Sequence, residues 1–587
     1  MYLKKSHNKK TGKTYLSIAQ GYWDKERGHT RTDVVEKIGY LHDLVKIYDD
    51  PITHFQAIVD EMNAMAAAED AEYNISANKN KRLEKNTSKL KNYGYIIIMK
   101  ILHELTLDRL LINRQRKTGI ECNTASIMKL LVISRILSPG SKRKAYNEKQ
   151  RYFDFEKDTF TLTDVYRSLS WFNTLAEDIK LHLHKRINKV YGRNTQITYY
   201  DVTNYYFEID KEDGLRKKGY GKDGKRSPLV QMGLAMDADG LPISYELFPG
   251  NESEKLHLRP MVLDLVHNYE TGRVIIVADS AQNTGNNIYY LDKGKQRYVF
   301  SQSIRGGSAG FKKFVVDESG YEWLSDEYKR KSRNERRKIS VDFIAQGKTV
   351  KRDMFVDQRQ IVFYSEKYAV RAREKRNEAL AKAAKIVASP AAYTKAAAYG
   401  ALKYIKDIEF DKDTGEVICS EKMPYLDLET VAEEEKYDGY YCIVTNIFND
   451  GKDSGKFPDD KIIEIYRGLW QIEDSFKVTK SDLDARPVYL SRDDRIKAHF
   501  LTCFISLVVI RLIQKLVRDK TGMDYSPEDL VKAMNNISCI NESNNLFQFY
   551  YRSDLTDHLG EAFGLDFTFE RLTRAEIKKN LGDSKKG

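Results

Sequence analysis

The chain has 587 residues, with 97 Lys+Arg against 85 Asp+Glu and a formal charge of +12, so its pI lies near 9.0. That length exceeds one hydrophobic core and predicts about three or four domains, while the basic excess favours a polyanionic partner. Five cysteines (Cys122, Cys419, Cys442, Cys503, Cys539) lie far apart without a CxxC, which argues against a structural zinc site or a disulfide framework. The longest mainly apolar run, Phe500 to Ile510, is too short to span a bilayer, so the expectation is a cytoplasmic protein without a membrane partner.

Taken in chain order, residues 1–60 alternate polar and apolar positions around turn signals at Thr11–Gly12 and Arg27–Gly28, which predicts a small β-rich module. Residues 61–90 read as a helix running into a polar linker. Residues 91–190 carry helical apolar spacing in IMKILHELTLDRLL and SIMKLLVISRIL, the second stopped by Ser138, Pro139 and Gly140. The segment QITYYDVTNYYFEI (196–209) is a β-branched and aromatic run with Asp201 in its middle. A second strand, Val274 to Val277, reads as buried on both faces and is followed at once by Asp279. The C-terminal ends of such strands are where open α/β sheets place their chemistry.

From Asp279 the next informative segment is far away, and residues 306–435 read as an insertion. They hold a basic run, YKRKSRNERRKIS (328–340), two predicted strands in KTVKRDMFV and QIVFYS, an Ala/Lys/Arg-rich helical stretch over about 366–406, and a turn at Thr414–Gly415. Within the run, Arg330, Arg333, Arg336 and Arg337 are candidates to neutralise DNA phosphates, set against the alternative of a solvated loop or helix face. The core resumes in YDGYYCIVTNI (437–447), which reads as a strand. Residues 521–587 carry no readable motif.

The segment YRGLWQIEDSFKVTKSDLDARPVYL (466–490) places Tyr466, Trp470, Glu473, Lys477 and Lys480 at intervals of three or four, hence on one helix face. A carboxylate among cations and flat rings suits a divalent metal and a DNA strand. If the Asp201 and Asp279 strands are neighbours, their carboxylates repel unless a cation holds them, and Mg²⁺ is the hard ion that oxygen ligands favour. Glu473 would supply the third carboxylate.

With these residues the chain resembles the DDE transposases of bacterial insertion sequences, in the insertion-sequence-four superfamily with its Y-x-x-R-x-x-x-E-x-x-x-x-x-x-K signature. Tyr466, Glu473 and Lys480 match that spacing, whereas Leu469 occupies the arginine position and Arg467 lies two places earlier. Asp-Val-Thr at 201–203 and ADSAQNTGNN at 278–287 look like the first and second acidic motifs. MGLAMDADGLPISYELFPGNESE (232–254) resembles the hairpin after the first strand of ribonuclease H-like domains. The resemblance implies an α/β fold: a ribonuclease H-like core with a mixed five-stranded sheet and flanking helices, formed by 191–305 and 436–520. An insertion domain (306–435) interrupts it, and N-terminal β-rich and helical domains precede it.

The helical domain at 91–190 would help bind the element's ends. Asp201, Asp279 and Glu473 would bind two Mg²⁺ ions, with Mn²⁺ as an alternative, and cut and rejoin DNA by phosphoryl transfer. Tyr466, Arg467, Trp470, Lys477 and Lys480 would contact DNA. The implied partners are terminal inverted repeats and target DNA, held by a homodimer or higher oligomer in the bacterial cytoplasm at the nucleoid. Blander readings stand beside these. Asp279 would cap a helix, Glu473 would pair with Lys477, and Trp470 and Phe476 would face the core. Two other functions remain open, a ribonuclease H-like nuclease without strand transfer and a degenerate DNA-binding protein.

Overall fold

Alternation in the first forty residues produces a three-stranded antiparallel sheet, β1 (Tyr2–Asn8), β2 (Lys13–Asp24) and β3 (His29–Tyr40). The turn between β1 and β2 passes through Gly12, whose φ of 66° is the left-handed conformation glycine adopts freely. Helix α1 (Pro51–Glu69) follows, and the Met1 amino group donates to the Asn63 side chain within the same unit. In this computed structural model the chain is described except for residues 9–10, 25–28, 70–79, 81, 83–84, 86–87, 220–226, 346, 391–397, 399, 411–416, 419–422, 449–456, 487, 544 and 586–587. The turns expected at Arg27–Gly28 and Thr414–Gly415 therefore lie outside the described residues. Two units emerge, Met1–Thr87 and Ser88–Gly587.

The second unit opens with the short strand β4 (Leu90–Asn92) and the helices α2 (Tyr95–Glu104), α3 (Thr124–Leu137), α4 (Leu162–Thr174) and α5 (Ala176–Tyr191). Helix α3 ends at Leu137 as the Ser-Pro-Gly stop requires. The next region supplies β5 (Ile197–Tyr206), β6 (Pro228–Met236), β7 (Pro242–Pro249), α6 (Leu258–His267), β8 (Ile275–Ala278), α7 (Gly285–Lys293), β9 (Arg297–Ser301) and α8 (Ala309–Val316). Its strands lie in the order β7-β6-β5-β8-β9, with β5, β8 and β9 parallel and β6 and β7 antiparallel. This is the mixed five-stranded arrangement expected.

The insertion differs from the expectation. Its two long strands, β10 (Tyr328–Ala345) and β11 (Lys348–Ser365), form one hairpin, and helix α9 (Glu366–Ala388) follows. Strand β12 (Tyr440–Thr445) pairs with β9 on one side and β11 on the other, so the hairpin continues the mixed sheet. The basic run 328–340 is a strand rather than a loop or helix. With short edge strands at Glu322–Ser325 and Lys217–Lys218 the mixed sheet reaches ten strands. KTVKRDMFV and QIVFYS are parts of a single strand.

Period-2 alternation sorts the sheet's side chains onto two buried faces. Tyr199, Val277, Val299, Ile361 and Ile443 point to one face. They share a core with helices α10 (Asp459–Arg467), α11 (Trp470–Lys477) and α12 (Asp493–Thr521). Tyr200, Ile276, Phe300, Val362 and Val444 point to the other, against α6, α7 and α8. Helix α12 is long and apolar enough to cross a bilayer, yet most of its apolar stretch is buried in this core. Residues 521–587 complete the helical domain. Strand β13 (Ser538–Ser543) pairs with β4, so chain segments more than 440 positions apart close one four-stranded sheet.

Two histidines of this unit are buried without charge. Burial lowers the pKa of His184 on α5 and of His257 to about 4. His257 lies flat on Phe248, 3.5 Å between ring centres. Because these folded-state values lie below the unfolded value near 6.5, the native state binds fewer protons than the unfolded chain between them. Their stabilising contribution is complete above about pH 6.5 and is lost as pH falls toward 4. Thermal melts across that window should show a falling Tm, and His257→Gln should flatten the fall.

Candidate active site

Adjacent parallel strands align the first two acids. Tyr199 of β5 lies opposite Val277 of β8, and two residues further along the chain come Asp201, still on β5, and Asp279, just past the end of β8. Both side chains are half-buried and lie at the C-terminal end of β8. One oxygen of each is engaged locally, Asp201 Oδ1 by the Val202 amide at 2.8 Å and Asp279 Oδ1 by the Ala281 amide at 2.9 Å. Asp279 is thus also the cap of a short helical turn, Ser280–Gln282, as the bland reading held. Capping and catalysis are compatible, because a carboxylate has a second oxygen to offer.

Along β5 the side chains 199, 201, 203 and 205 share one face, and the helices beyond β12 cover that row in order. Gly468, between α10 and α11, sits directly on Tyr199, since a Cβ there would lie 2.0 Å from the Tyr199 hydroxyl. Further along, Lys480 Nζ donates to Thr203 Oγ1 at 2.5 Å and stands 5.5 Å from the Tyr205 ring. Asp201 is bracketed by these two contacts, as Glu473 is bracketed by Gly468 and Lys480 on the covering chain. The prediction is specific: Gly468→Ala should force the Tyr199 ring and the Gly468 backbone apart, shifting the chain that leads into α11. It should cost about 1–3 kcal/mol in a urea melt and depress activity further by displacing Glu473.

Helix α10, which precedes the helix bearing Glu473, is held by the insertion. Arg359 of β11, fully buried, pairs with Asp459 and donates to the Phe457 carbonyl at 2.9 Å, fixing the start of α10. Arg330 of β10 pairs with the neighbouring Asp460. The second acidic loop is held likewise. Arg337 donates to Asn283, the Ser340 carbonyl lies against Gly285, and Asn286 and Asp342 exchange two hydrogen bonds. Much of the ADSAQNTGNN segment therefore serves as the hairpin's seat.

Tyr466, at the end of α10, is half-buried between the acids. Burial pushes its pKa up to about 12, and the negative charges of Asp279 and Glu473 add to the rise, while a hydrogen bond with Ser301 opposes it. It keeps its proton at neutral pH, which disfavours it as a covalent nucleophile. The remaining test concerns a metal. The donor set is all carboxylate oxygen, the chemistry a hard divalent cation takes, and the backbone aligns two of the three donors. Among the described residues, however, no three Asp, Glu, His or Cys side chains stand close enough to share an ion. Glu473 is exposed on α11, and no ion pair with Lys477 is present among the described residues. Phe476 is buried, as the core reading had it, but Trp470 is 61% exposed.

The candidate DNA contacts divide into two groups. Arg467, Trp470 and Lys477 are exposed beside Glu473, and Lys480 is half-buried against Thr203. Arg330 is committed to Asp460 and Glu322, Arg333 stacks on Phe314 at 4.0 Å and reaches Gln360 and Glu335, and Arg337 is spent on Asn283. Arg336 lies 5.5 Å from the Phe355 ring on the outer face of the hairpin. Lys329 and Lys331 are buried among aromatic rings, with Lys329 paired to Glu318. A strand's alternation, unrecognised in so charged a run, turns half of these residues inward. The pairing of Arg359 with Asp459 had no sequence signal, the two being 100 positions apart.

Residues 194–509, more than half of the chain, match the family described as transposase DDE domain, and residues 3–72 match the IS1634 family transposase N-terminal domain. No curated protein matches. Among solved structures the chain is similar to a piggyBac transposase synaptic complex with hairpin DNA, at 8% identity and a TM-score of 0.33, covering 84% of each chain. A Mos1 transposase paired-end complex is similar at 10% identity and a TM-score of 0.14, over 40% of this chain and 64% of that one. A Mos1 mariner complex with Mn is similar at 14% identity and a TM-score of 0.13, over 44% of this chain and 70% of that one.

Proposed function

The chain belongs to the DDE transposases of bacterial insertion sequences, and on that premise we propose that it binds both ends of its element, cuts there, and joins the 3′ ends to target DNA at Asp201, Asp279 and Glu473. The observation that supports this most is the parallel pairing of the strands that carry and lead into Asp201 and Asp279, each acid two residues past the paired Tyr199 and Val277, with Lys480 of the chain that carries Glu473 bonded to Thr203 of the same strand as Asp201. Family membership implies divalent-metal use, and the three carboxylates would hold two Mg²⁺ or Mn²⁺ ions. Such ions, when bound, make an attacking oxygen more acidic and stabilise the leaving one.

The chain's own groups do the positioning. Asp201, within β5, and Asp279, just after β8, would hold the cations that place the reacting phosphate, and Glu473 would close the site once its side chain turns inward from α11. Tyr466, with its proton retained, donates a hydrogen bond to the strand beside the cut. Arg467, Lys477 and Lys480 neutralise backbone phosphates, and exposed Trp470 offers a face for a base. The helical domain supports end recognition, and a homodimer or higher oligomer brings two ends together at the nucleoid. A labelled terminal duplex incubated with protein, Mg²⁺ and supercoiled plasmid tests this. Label joined covalently to the plasmid is the expected result; cut label that never joins would reduce the protein to a nuclease.

A further inference from the structure

Next to Asp279 the structure contains a second feature that the acidic residues do not explain. Two clefts of about 680 and 530 Å³ meet at Ser280, Gln302 and Ser303 and run to either side of the loop after β9. The larger one continues along α9. There Arg371 and Lys375, one helical turn apart, are exposed and have no ion-pair partner among the described residues. Most other charges in this cleft are mutually satisfied, Arg376 with Asp438 and Lys403 with Glu434. Its floor is aromatic. Tyr441 is 42% exposed, lies 4.8 Å from Tyr368 and stacks on Phe363 at an interplanar angle of 16°.

Unpaired cations on one wall and a supported, exposed ring on the floor form the combination that binds a single nucleic-acid strand, with phosphates neutralised on one side and bases stacked on the other. A duplex has its bases already stacked and gains nothing from Tyr441. We propose that this groove holds the single-stranded DNA that runs past the scissile phosphate, its phosphates on Arg371 and Lys375 and a base on Tyr441. The assignment gives a role to α9, the helical part of the insertion, and it rests on the reading of Asp279 as a catalytic acid. The groove opens at Ser280, the residue after Asp279, and at Ser301, which Tyr466 contacts.

The test uses the full chain without divalent metal and a fluorescein-labelled duplex, either blunt or carrying a single-stranded dT extension of about ten nucleotides, a length such grooves track. The extension should tighten binding by about tenfold or more, with a steeper salt dependence. The doubly substituted Arg371→Ala/Lys375→Ala protein should lose that gain and about 1.4 of the slope of log K against log salt, while blunt-duplex affinity stays the same. Tyr441→Ser should lose affinity for the extension without changing the slope. An extension that adds nothing in the unsubstituted protein would overturn the proposal. So would a double substitution that leaves the gain intact, or one that weakens blunt and extended DNA alike. Asp279→Asn separates the two readings: it should abolish cutting and leave the extension's gain in affinity unchanged, and cutting that survives would count against the catalytic reading alone.

Discussion

Replacing Asp201 or Asp279 with Asn, or Glu473 with Gln, is expected to lower DNA cleavage by about 10³-fold, on the order of 4 kcal/mol in the activation barrier. The substitutions conserve shape and remove one negative charge each, so the loss tests charge and ligation rather than packing. Asp201 and Asp279 are half-buried and Glu473 is exposed, so none is a core residue whose loss would unfold the sheet. DNA affinity measured without metal should be equal or slightly higher, because each substitution removes a carboxylate that repels phosphate. Gel assays of cleavage beside anisotropy of binding give both readouts. Cutting that persists in the Glu473→Gln protein would remove the third acid from the mechanism.

Asp459→Ala should destabilise the catalytic unit by about 3–5 kcal/mol, because it leaves the Arg359 guanidinium buried with no counter-charge. Arg359 is only 2% exposed, and among the described residues its other partner is the Phe457 carbonyl. The double change Arg359→Met/Asp459→Leu should recover most of the loss, since a buried ion pair is replaceable by apolar groups of similar volume. Urea melts read the stability directly, and a cost under about 1 kcal/mol would show that α10 is held by something else. Activity of the folded fraction should also fall, since the same pair sets where α10 starts and therefore where Glu473 lies.

What the sequence made legible follows from the range of the physics involved. The strands around Asp201 and Asp279 declare themselves by composition, because β-branched and aromatic runs carry their own local preference. Their parallel pairing was inferable only as a consequence of shared chemistry. The single helix face expected through Tyr466, Glu473 and Lys480 is divided over three elements, Tyr466 at the end of α10, Glu473 on α11 beyond a break at Gly468, and Lys480 in a wide turn over Val478–Asp482. The basic strand β10 was illegible because charge dominated its composition while alternation, the feature that mattered, was carried by lysines buried among rings. The closure of β4 by β13 and the hold of Arg359 on Asp459 depend on contacts between distant segments, which no local pattern encodes.

The shared sheet also sets when the enzyme exists during its synthesis. Strand β9 has its outer edge unpaired until β12 is made, about 140 residues later, and Glu473 follows after that. At about 5–20 residues per second the interval from Asp279 to Glu473 is on the order of ten seconds or more, during which a nascent chain carries two acids and lacks the third. The segment that pairs with β4 emerges later still. On the proposed three-acid site, a nascent chain short of Glu473 is not expected to nick the DNA near which it is translated, and proteolysis should find the 300–440 region accessible in stalled chains and protected in released ones.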